Sequence, residues 1–140
     1  MALTVTYGTN TALTGWSTAL ASVAASGTST SGSVDNSTNK YPACKMEIEL
    51  DGDNASSAGS VDLYLQESTD GGTAFSTSGD TSDMRYIGSV QLNGTTLVRK
   101  VIDVGNLPQY WKVYVVNGDA TYGLGANTVI SYQGITYADV

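Results

Sequence analysis

Apolar and polar residues alternate along much of the chain, which is the period expected of β-strands with one buried face. In the run from Cys44 to Leu50, for example, Met46, Ile48 and Leu50 alternate with charged residues. In the run 84–92 the same pattern places Tyr86 on one side of the strand with Val90 and Leu92. Similar runs occur at 2–7, 61–66, 95–104, 110–116 and 127–137.

Turn residues separate these runs. Asn93-Gly94 between two alternating runs predicts a β-hairpin with a type I′ turn, because both residues tolerate positive φ. With a second turn at 105–109, this predicts a meander over 84–116. A turn at Asp51-Gly52-Asp53-Asn54 would return the chain into the next strand. The phase of the apolar residues changes around Gly134, which predicts a β-bulge there.

Three segments depart from strand periodicity. Apolar residues between Leu13 and Ala25 recur every three or four positions, which favours no more than a turn or two of helix. Ser26–Lys40 and Glu67–Asp83 are polar and predict long loops, the first with a weak edge strand. We therefore expect residues 1–40 to form in part an extended or loosely structured N-terminal arm.

The fold class follows from these elements. About seven to nine strands joined by loops rather than helices are typical of two packed antiparallel sheets. The sequence predicts one all-β domain over residues 1–140, an antiparallel two-sheet sandwich, jelly-roll-like, with long polar loops.

Composition excludes several classes of function. The chain has six Lys and Arg, no His and a net charge of −7, so it lacks the basic surface that nucleic acids or anionic membranes require. No apolar run is long enough to span a bilayer, and the first residues do not resemble a signal peptide. These features predict a protein made in a cytoplasm, with Cys44 as a buried, reduced core thiol.

Candidate chemistry is sparse. Glu47, Glu49 and Asp51 share one side of a strand, as paired carboxylates do in some glycosidases; a solvated outer face is the simpler interpretation. Asp51, Asp53 and Asn54 are also the residues that a tight turn favours, so a Ca²⁺ site is the weaker interpretation. Without His the commonest general base is missing. We predict a protein that is not an enzyme and has no metal site and no cofactor.

Segment 68–75 is close to the Asp-box turn of sialidase-type propellers. It occurs once, however, and a propeller needs repeats. It is therefore interpreted as an ordinary loop.

Aromatic residues are the more informative feature. The chain has nine Tyr and one Phe. Tyr64, Tyr114 and Tyr132 are expected to face away from the apolar side of their strands, and Phe75 is the single aromatic of the loop 67–83. Amphipathic rings on outer faces suit protein interfaces or sugar stacking, the alternative being packing under loops. These four residues are the interface candidates.

Several segments resemble the small virion structural proteins encoded among the head genes of tailed bacteriophages. They are 34–41 (VDNSTNKY), 62–65 (DLYL) with its following Asp-Gly-Gly loop, 107–108 (LP) before 110–117 (YWKVYVVN), and 125–134 (GANTVISYQG).

The resemblance implies a largely β capsid-decorating or cement-like protein. Such a protein would bind the major capsid protein on the outside of the virion and assemble as a homo-oligomer, with a trimer favoured. Two alternatives remain: a head-fibre base or tail adaptor of the virion, and a carbohydrate-binding β-sandwich in which Tyr64 and Tyr114 stack on sugar.

Overall fold

The computed structural model describes residues 3–68, 70–76 and 80–139. This part of the chain forms ten strands and two short 3-10 turns, Leu20–Ser22 and Thr81–Asp83. The strands are β1 (Leu3–Tyr7), β2 (Thr11–Ala12), β3 (Thr28–Thr30), β4 (Val34–Asp35), β5 (Ala43–Leu50), β6 (Ser60–Ser68), β7 (Arg85–Gln91), β8 (Val98–Val104), β9 (Tyr110–Asn117) and β10 (Val129–Asp139). The first strand was predicted from Ala2, which lies outside the described residues.

The strands form two five-stranded antiparallel sheets. Sheet A has the order β1-β10-β5-β8, with β2 also paired to β10, and sheet B has the order β3-β9-β6-β7, with β4 also paired to β9. The predicted all-β, antiparallel two-sheet sandwich is therefore confirmed, and its strand order is compatible with a jelly-roll-like arrangement.

The core lies between the two sheets and is built from the alternating positions that the sequence pattern singled out. Met46 and Ile48 from sheet A and Leu63, Leu65 and Val113 from sheet B are completely buried. Burying each such side chain contributes about 1.5–3 kcal/mol, so this layer is the main source of stability. Cys44 lies in the same layer and is buried as predicted; burial raises the pKa of its thiol to about 12.

The predicted hairpin at Asn93-Gly94 is wrong. Strands β7 and β8 belong to different sheets, so the chain crosses the sandwich at this turn, and residues 84–116 do not form a meander. Gly94 has a φ of 57°, but its partners are tertiary: its N–H donates to the Ser57 carbonyl, and its carbonyl accepts from the Gly52 N–H.

The segment 51–54 likewise leads from β5 in sheet A to β6 in sheet B. The predicted next strand, β6, therefore lies in the sheet opposite β5. Local turn chemistry is compatible with a hairpin in both places, but burial of an apolar face on each side of the core requires a crossing.

The bulge expected at Gly134 is also wrong, because β10 keeps an unbroken register with β5 through Gly134 and Ile135. A Cβ on Gly134 would lie 2.2 Å from the ring of Tyr41. The glycine is therefore explained by a side chain packed against its backbone rather than by an extra residue.

A register shift occurs instead between β6 and β7. Leu63 pairs with Gly88, whereas the next residue, Tyr64, pairs with Tyr86. The extra residue, Ile87, reverses the faces of β7, so Val90 is 3% exposed while Tyr86 is 55% exposed. The prediction that Tyr86 shares a face with Val90 and Leu92 is wrong for this reason.

The segment from Leu13 to Ala25 contains a single 3-10 turn, which is the lower limit of the predicted helix. Its apolar residues nevertheless reach the core: Leu13, Leu20 and Val23 are buried, and Trp16 packs against them. The spacing of three or four residues therefore does not indicate a helix here. It results from an irregular segment that packs these apolar side chains against the core. Residues 3–40 also supply β1 to β4, including the edge strand expected within 26–40.

Candidate interaction surface

Three tyrosines lie side by side on the outer face of sheet B. Tyr114 of β9 pairs with Tyr64 of β6, and the bulge places Tyr86 of β7 opposite Tyr64. The rings of Tyr64 and Tyr86 meet edge to face with centroids 5.5 Å apart, and those of Tyr64 and Tyr114 are 6.5 Å apart. We call Tyr114, Tyr64 and Tyr86 the tyrosine row.

Exposure increases along the tyrosine row. Tyr114 is 6% exposed although its side chain points away from the core, and Tyr86 at the other end is 55% exposed. Tyr64 between them is half-buried. Aromatic pairs of this geometry contribute about 0.5–1.5 kcal/mol each beyond their buried area. The row is therefore a rigid platform that is anchored at one end and open at the other.

A loop folds back onto the same face. The Asp70 loop, residues 70–76, is ordered by the Asp70 carboxylate, whose Oδ1 accepts from the Ser68 hydroxyl at 2.7 Å and from the backbone N–H groups of Thr73 and Ala74. The Ala74 N–H and the Ser68 hydroxyl are the main causes that lower the pKa of Asp70. The turn thus has a local structural function, as its interpretation as an ordinary loop implies.

The Asp70 loop places Phe75 beside the tyrosine row. The Lys112 ammonium lies 4.4 Å from the centroid of the Phe75 ring, and Lys112 is two residues before Tyr114 on the same side of β9. The Gln66 amide of β6 donates to the Ser76 carbonyl at 2.7 Å, which holds the end of the loop against the sheet. Three of the four interface candidates, Tyr64, Tyr114 and Phe75, are thus brought to one face.

Tyr132 is the exception. It pairs with the buried Met46 and faces the core, where its ring meets Trp111 edge to face at 5.1 Å. The expected outward orientation of Tyr132 is therefore wrong. Burial is the main cause that raises the pKa of its hydroxyl, and its partly buried ring packs against the core.

Sequence reasoning did not find two residues of this surface, Tyr86 and Lys112. Tyr86 was assigned to the core because strict alternation was assumed across Gly88. That glycine was the available signal, because glycine within a strand often marks a bulge or a close approach of another chain segment. A Cβ on Gly88 would lie 2.5 Å from Ile102 Cδ1 of β8. Alternation in the run 110–116 places Lys112 on the same side as Tyr114, but nothing local in the sequence indicates that Phe75 lies beside it.

The candidate carboxylates do not form one cluster. Glu47 and Glu49 lie on the outer face of sheet A beside Arg99, whose Nη2 is 3.8 Å and 2.5 Å from their respective Oε1 atoms. Asp51 is 4% exposed and accepts from the backbone and side-chain nitrogens of Asn127. The expectation that all three share one face is wrong, because β5 ends at Leu50 and the chain then turns into the sandwich.

Asp119 is the second acidic side chain that organises loops. Its carboxylate accepts from the backbone N–H groups of Thr121 and Tyr122 through Oδ1, and from those of Ala58 and Gly59 through Oδ2, all at 2.9–3.0 Å. These bonds, that from Tyr122 first, hold its pKa far below the ordinary value. Asp119 thus links the loop that follows β9 to the loop that precedes β6. Both of its carboxylate oxygens accept hydrogen bonds from backbone N–H groups, which gives this side chain a structural role.

Over residues 3–68, 70–76 and 80–139, no group of three or more His, Cys, Asp and Glu side chains is arranged to hold a metal ion. Within the same ranges, no helix is long and apolar enough to cross a membrane.

Comparison with protein-family models and with curated proteins finds no match. The likeness to virion proteins therefore remains a resemblance of short segments.

Proposed function

We propose that this chain is a structural protein of a tailed-phage virion that decorates or cements the capsid shell. The observation that carries the proposal is the tyrosine row with Phe75 and Lys112 beside it. It is an aromatic surface with the positive charge of Lys112 beside it, and it is built on paired strands and therefore already ordered before binding. Surfaces of this kind suit protein partners, since Tyr gives large contact area at a small cost in side-chain entropy.

The proposed partner is the major capsid protein, on the outer surface of the virion, after synthesis in the host cytoplasm. Binding through a sheet face explains why the outward side chains of β6, β7 and β9 include three tyrosines. The resemblance to decoration proteins favours a homo-oligomer, in particular a trimer. Neither a cofactor nor nucleic acid takes part in the proposed role.

The test is co-sedimentation of the purified protein with empty shells assembled from the major capsid protein of the same genome. We expect saturable occupancy at a fixed ratio to shell subunits. Tyr86→Lys should weaken binding at least about tenfold, because it places a charge in the exposed end of the row. Val101→Lys is the matched control, since Val101 is similarly exposed, at 54%, on the outer face of sheet A.

Two results would contradict the proposal. If the wild-type protein does not sediment with shells, the capsid role is wrong, and binding to purified tails would then favour the tail adaptor. If Tyr86→Lys binds as tightly as wild type, the assignment to this face is wrong.

Carbohydrate binding is a second candidate, supported by one observation. The ring of Tyr86 is 55% exposed and meets Tyr64 edge to face, and an exposed aromatic ring of this kind can stack on a sugar. A glycan array separates the two functions. Binding to a glycan that is lost in Tyr86→Ala would favour the sugar-binding function, whereas an array without binding would remove it.

A further inference from the structure

Strand β1 is unusually exposed. All five of its residues are exposed, including Leu3, Val5 and Tyr7 at 62%, 41% and 54%. Its pairing is with the end of β10, from Ile135 to Asp139, whereas the pairing of β10 with β5 stops at Ile135. The two strands therefore extend beyond the sandwich as a two-stranded ribbon, an arrangement with little stability of its own.

The edge strands β3, β7 and β8 have partners. The outer edge of β3 is covered by the segment at Ser17, because the Ser17 N–H donates to the Thr30 carbonyl and the Ser17 hydroxyl accepts from the Thr30 N–H. Strands β7 and β8 bridge each other across the sheets. Arg85 of β7 donates to the Gly105 carbonyl after β8, and Lys100 of β8 donates to the Ser89 carbonyl of β7.

The backbone of β1 is oriented for a further strand. The Gly8 N–H donates to the Gly134 carbonyl at 2.8 Å, which places this pair at a hydrogen-bonded position of the antiparallel ladder. Because such positions alternate, Thr4 and Thr6 direct their backbone groups toward β10, and Leu3, Val5 and Tyr7 direct theirs to the open edge. Three N–H groups and three carbonyls thus form an unpaired row.

The sequence of β1 contains no device that would prevent edge pairing. Natural edge strands commonly carry a charge, a proline or a bulge for that purpose, whereas β1 reads Leu-Thr-Val-Thr-Tyr. In a chain with a net charge of −7, an uncharged edge is also the place where two copies repel each other least.

We propose that β1 pairs with β1 of a second copy of this chain. The strand is complementary to itself in the antiparallel direction around Val5. Val5 would face Val5 of the second copy as a hydrogen-bonded pair, and Leu3 would face Tyr7 in both directions. Thr4 would lie opposite Thr6 at the closer, non-hydrogen-bonded positions, where threonine pairs are favourable.

The contact has twofold symmetry, as most homodimers do, and it joins two copies of sheet A into one continuous sheet. Its outer face would gather the exposed side chains of Leu3, Val5, Tyr7 and Tyr137 from both copies. This inference is independent of the proposed capsid role, and a twofold contact differs from the trimer that the resemblance favours. Because the paired strands are short, we expect a weak dimer, with a dissociation constant of roughly 10–100 μM.

The first test is sedimentation velocity of the full chain from about 2 to 500 μM. We expect the weight-average mass to rise from that of one chain toward that of two. Val5→Lys should abolish this rise, since it places two like charges opposite each other at the centre of the contact. Val101→Lys is the control, because Val101 is exposed, at 54%, on β8 at the opposite edge of the same sheet, and this variant should associate as wild type does.

The second test fixes the register. Val5→Cys in a Cys44→Ala background should form an intermolecular disulfide under mild oxidation, because facing residues at a hydrogen-bonded position have Cα atoms about 5.5 Å apart. Val101→Cys in the same background lies on the outer face of sheet A away from the edge and should cross-link at least about tenfold more slowly.

A monomer at every concentration would overturn the proposal. Association that persists in Val5→Lys, as a dimer or a trimer, would also overturn it, as would equal cross-linking at positions 5 and 101. None of these results depends on shell binding, so the dimer and the capsid role can fail separately.

Discussion

The outer faces of the two sheets differ in what covers them. On sheet B, Tyr114 is 6% exposed and lies beside the ring of Tyr64, and the Asp70 loop contacts the neighbouring outward residues Gln66 and Lys112. On sheet A, the outward residues Val101 and Tyr137 are 54% and 51% exposed. Ion pairs lie between them, including Lys45 Nζ to Asp103 Oδ1 at 2.5 Å.

The comparison shows that an outward position in a strand does not determine exposure. Tyr114 and Tyr137 both point away from the core, yet one is buried and the other is in solvent. Tyr114 lies in the middle of sheet B beside the ring of Tyr64. Tyr137 lies on the part of β10 that extends beyond β5 and pairs with the exposed strand β1. We therefore expect the two faces to differ in their response to substitution and to pH.

The largest difference between the two faces is expected in the free energy of unfolding, when Tyr114→Ala is compared with Tyr137→Ala. Removal of the buried ring of Tyr114 should lower the free energy of unfolding by roughly 2–4 kcal/mol, because it leaves a cavity between the sheet and its neighbours. Tyr137→Ala should change it by less than about 1 kcal/mol. Urea unfolding of both variants measures the difference, and equal effects would mean that the two faces are equally covered.

A smaller effect is expected from Asp70→Ala. The substitution removes the acceptor of the Thr73 and Ala74 N–H groups, so the Asp70 loop should open while the sandwich remains folded. Hydrogen exchange at these two amides should accelerate by at least about tenfold. Asp80→Ala is the matched control, since Asp80 accepts from Ser82 in the same connection. Unchanged exchange in Asp70→Ala would show that the loop is held by other contacts.

The smallest effect is a difference in pH response. The pKa of Asp70 in the folded chain lies below its ordinary value of 3.8. The contribution of Asp70 to the free energy of unfolding is therefore complete above pH 3.8 and is lost as the pH falls through the folded pKa. The pKa of Lys45 is raised above 10.5, mainly by its hydrogen bond to Asp103. The contribution of Lys45 to the free energy of unfolding is therefore complete below pH 10.5 and is lost as the pH rises through the folded pKa.

Nuclear magnetic resonance titrations of the Asp70 carboxyl carbon and the Lys45 Cε measure these two pKa values separately. We expect acid to loosen the loop on sheet B and alkali to break the ion pair on sheet A. An Asp70 that titrates at 3.8 or above would contradict the hydrogen-bonded turn.

Much of the fold was predictable because alternation is a local property. The inward residues Met46, Ile48 and Leu63 were correctly assigned from the sequence pattern, since a strand at the centre of a sandwich must bury every second side chain. The predicted pairing failed at Asn93-Gly94, where local turn chemistry is the same for a hairpin and for a crossing. The contact of Gly94 with Ser57, about 37 residues away in sequence, decides between them.

The candidate surface was only partly predictable. Tyr64, Tyr114 and Phe75 were found because each stands out locally, as a ring at an outward position or in a polar loop. Tyr86 was missed because one extra residue in β7 reverses its face. Tyr132 was misplaced because the phase of the apolar residues in β10 is ambiguous from the sequence, whereas its pairing with the buried Met46 turns it toward the core.

The class of fold, the position of most strands and the burial of Cys44 follow from the sequence pattern, because they depend on the period and the polarity of nearby residues. Which strands pair, which outward rings are buried and which edge is left open become clear in the folded chain. Those features depend on contacts between residues far apart in the chain, and a change of one residue in register alters all of them.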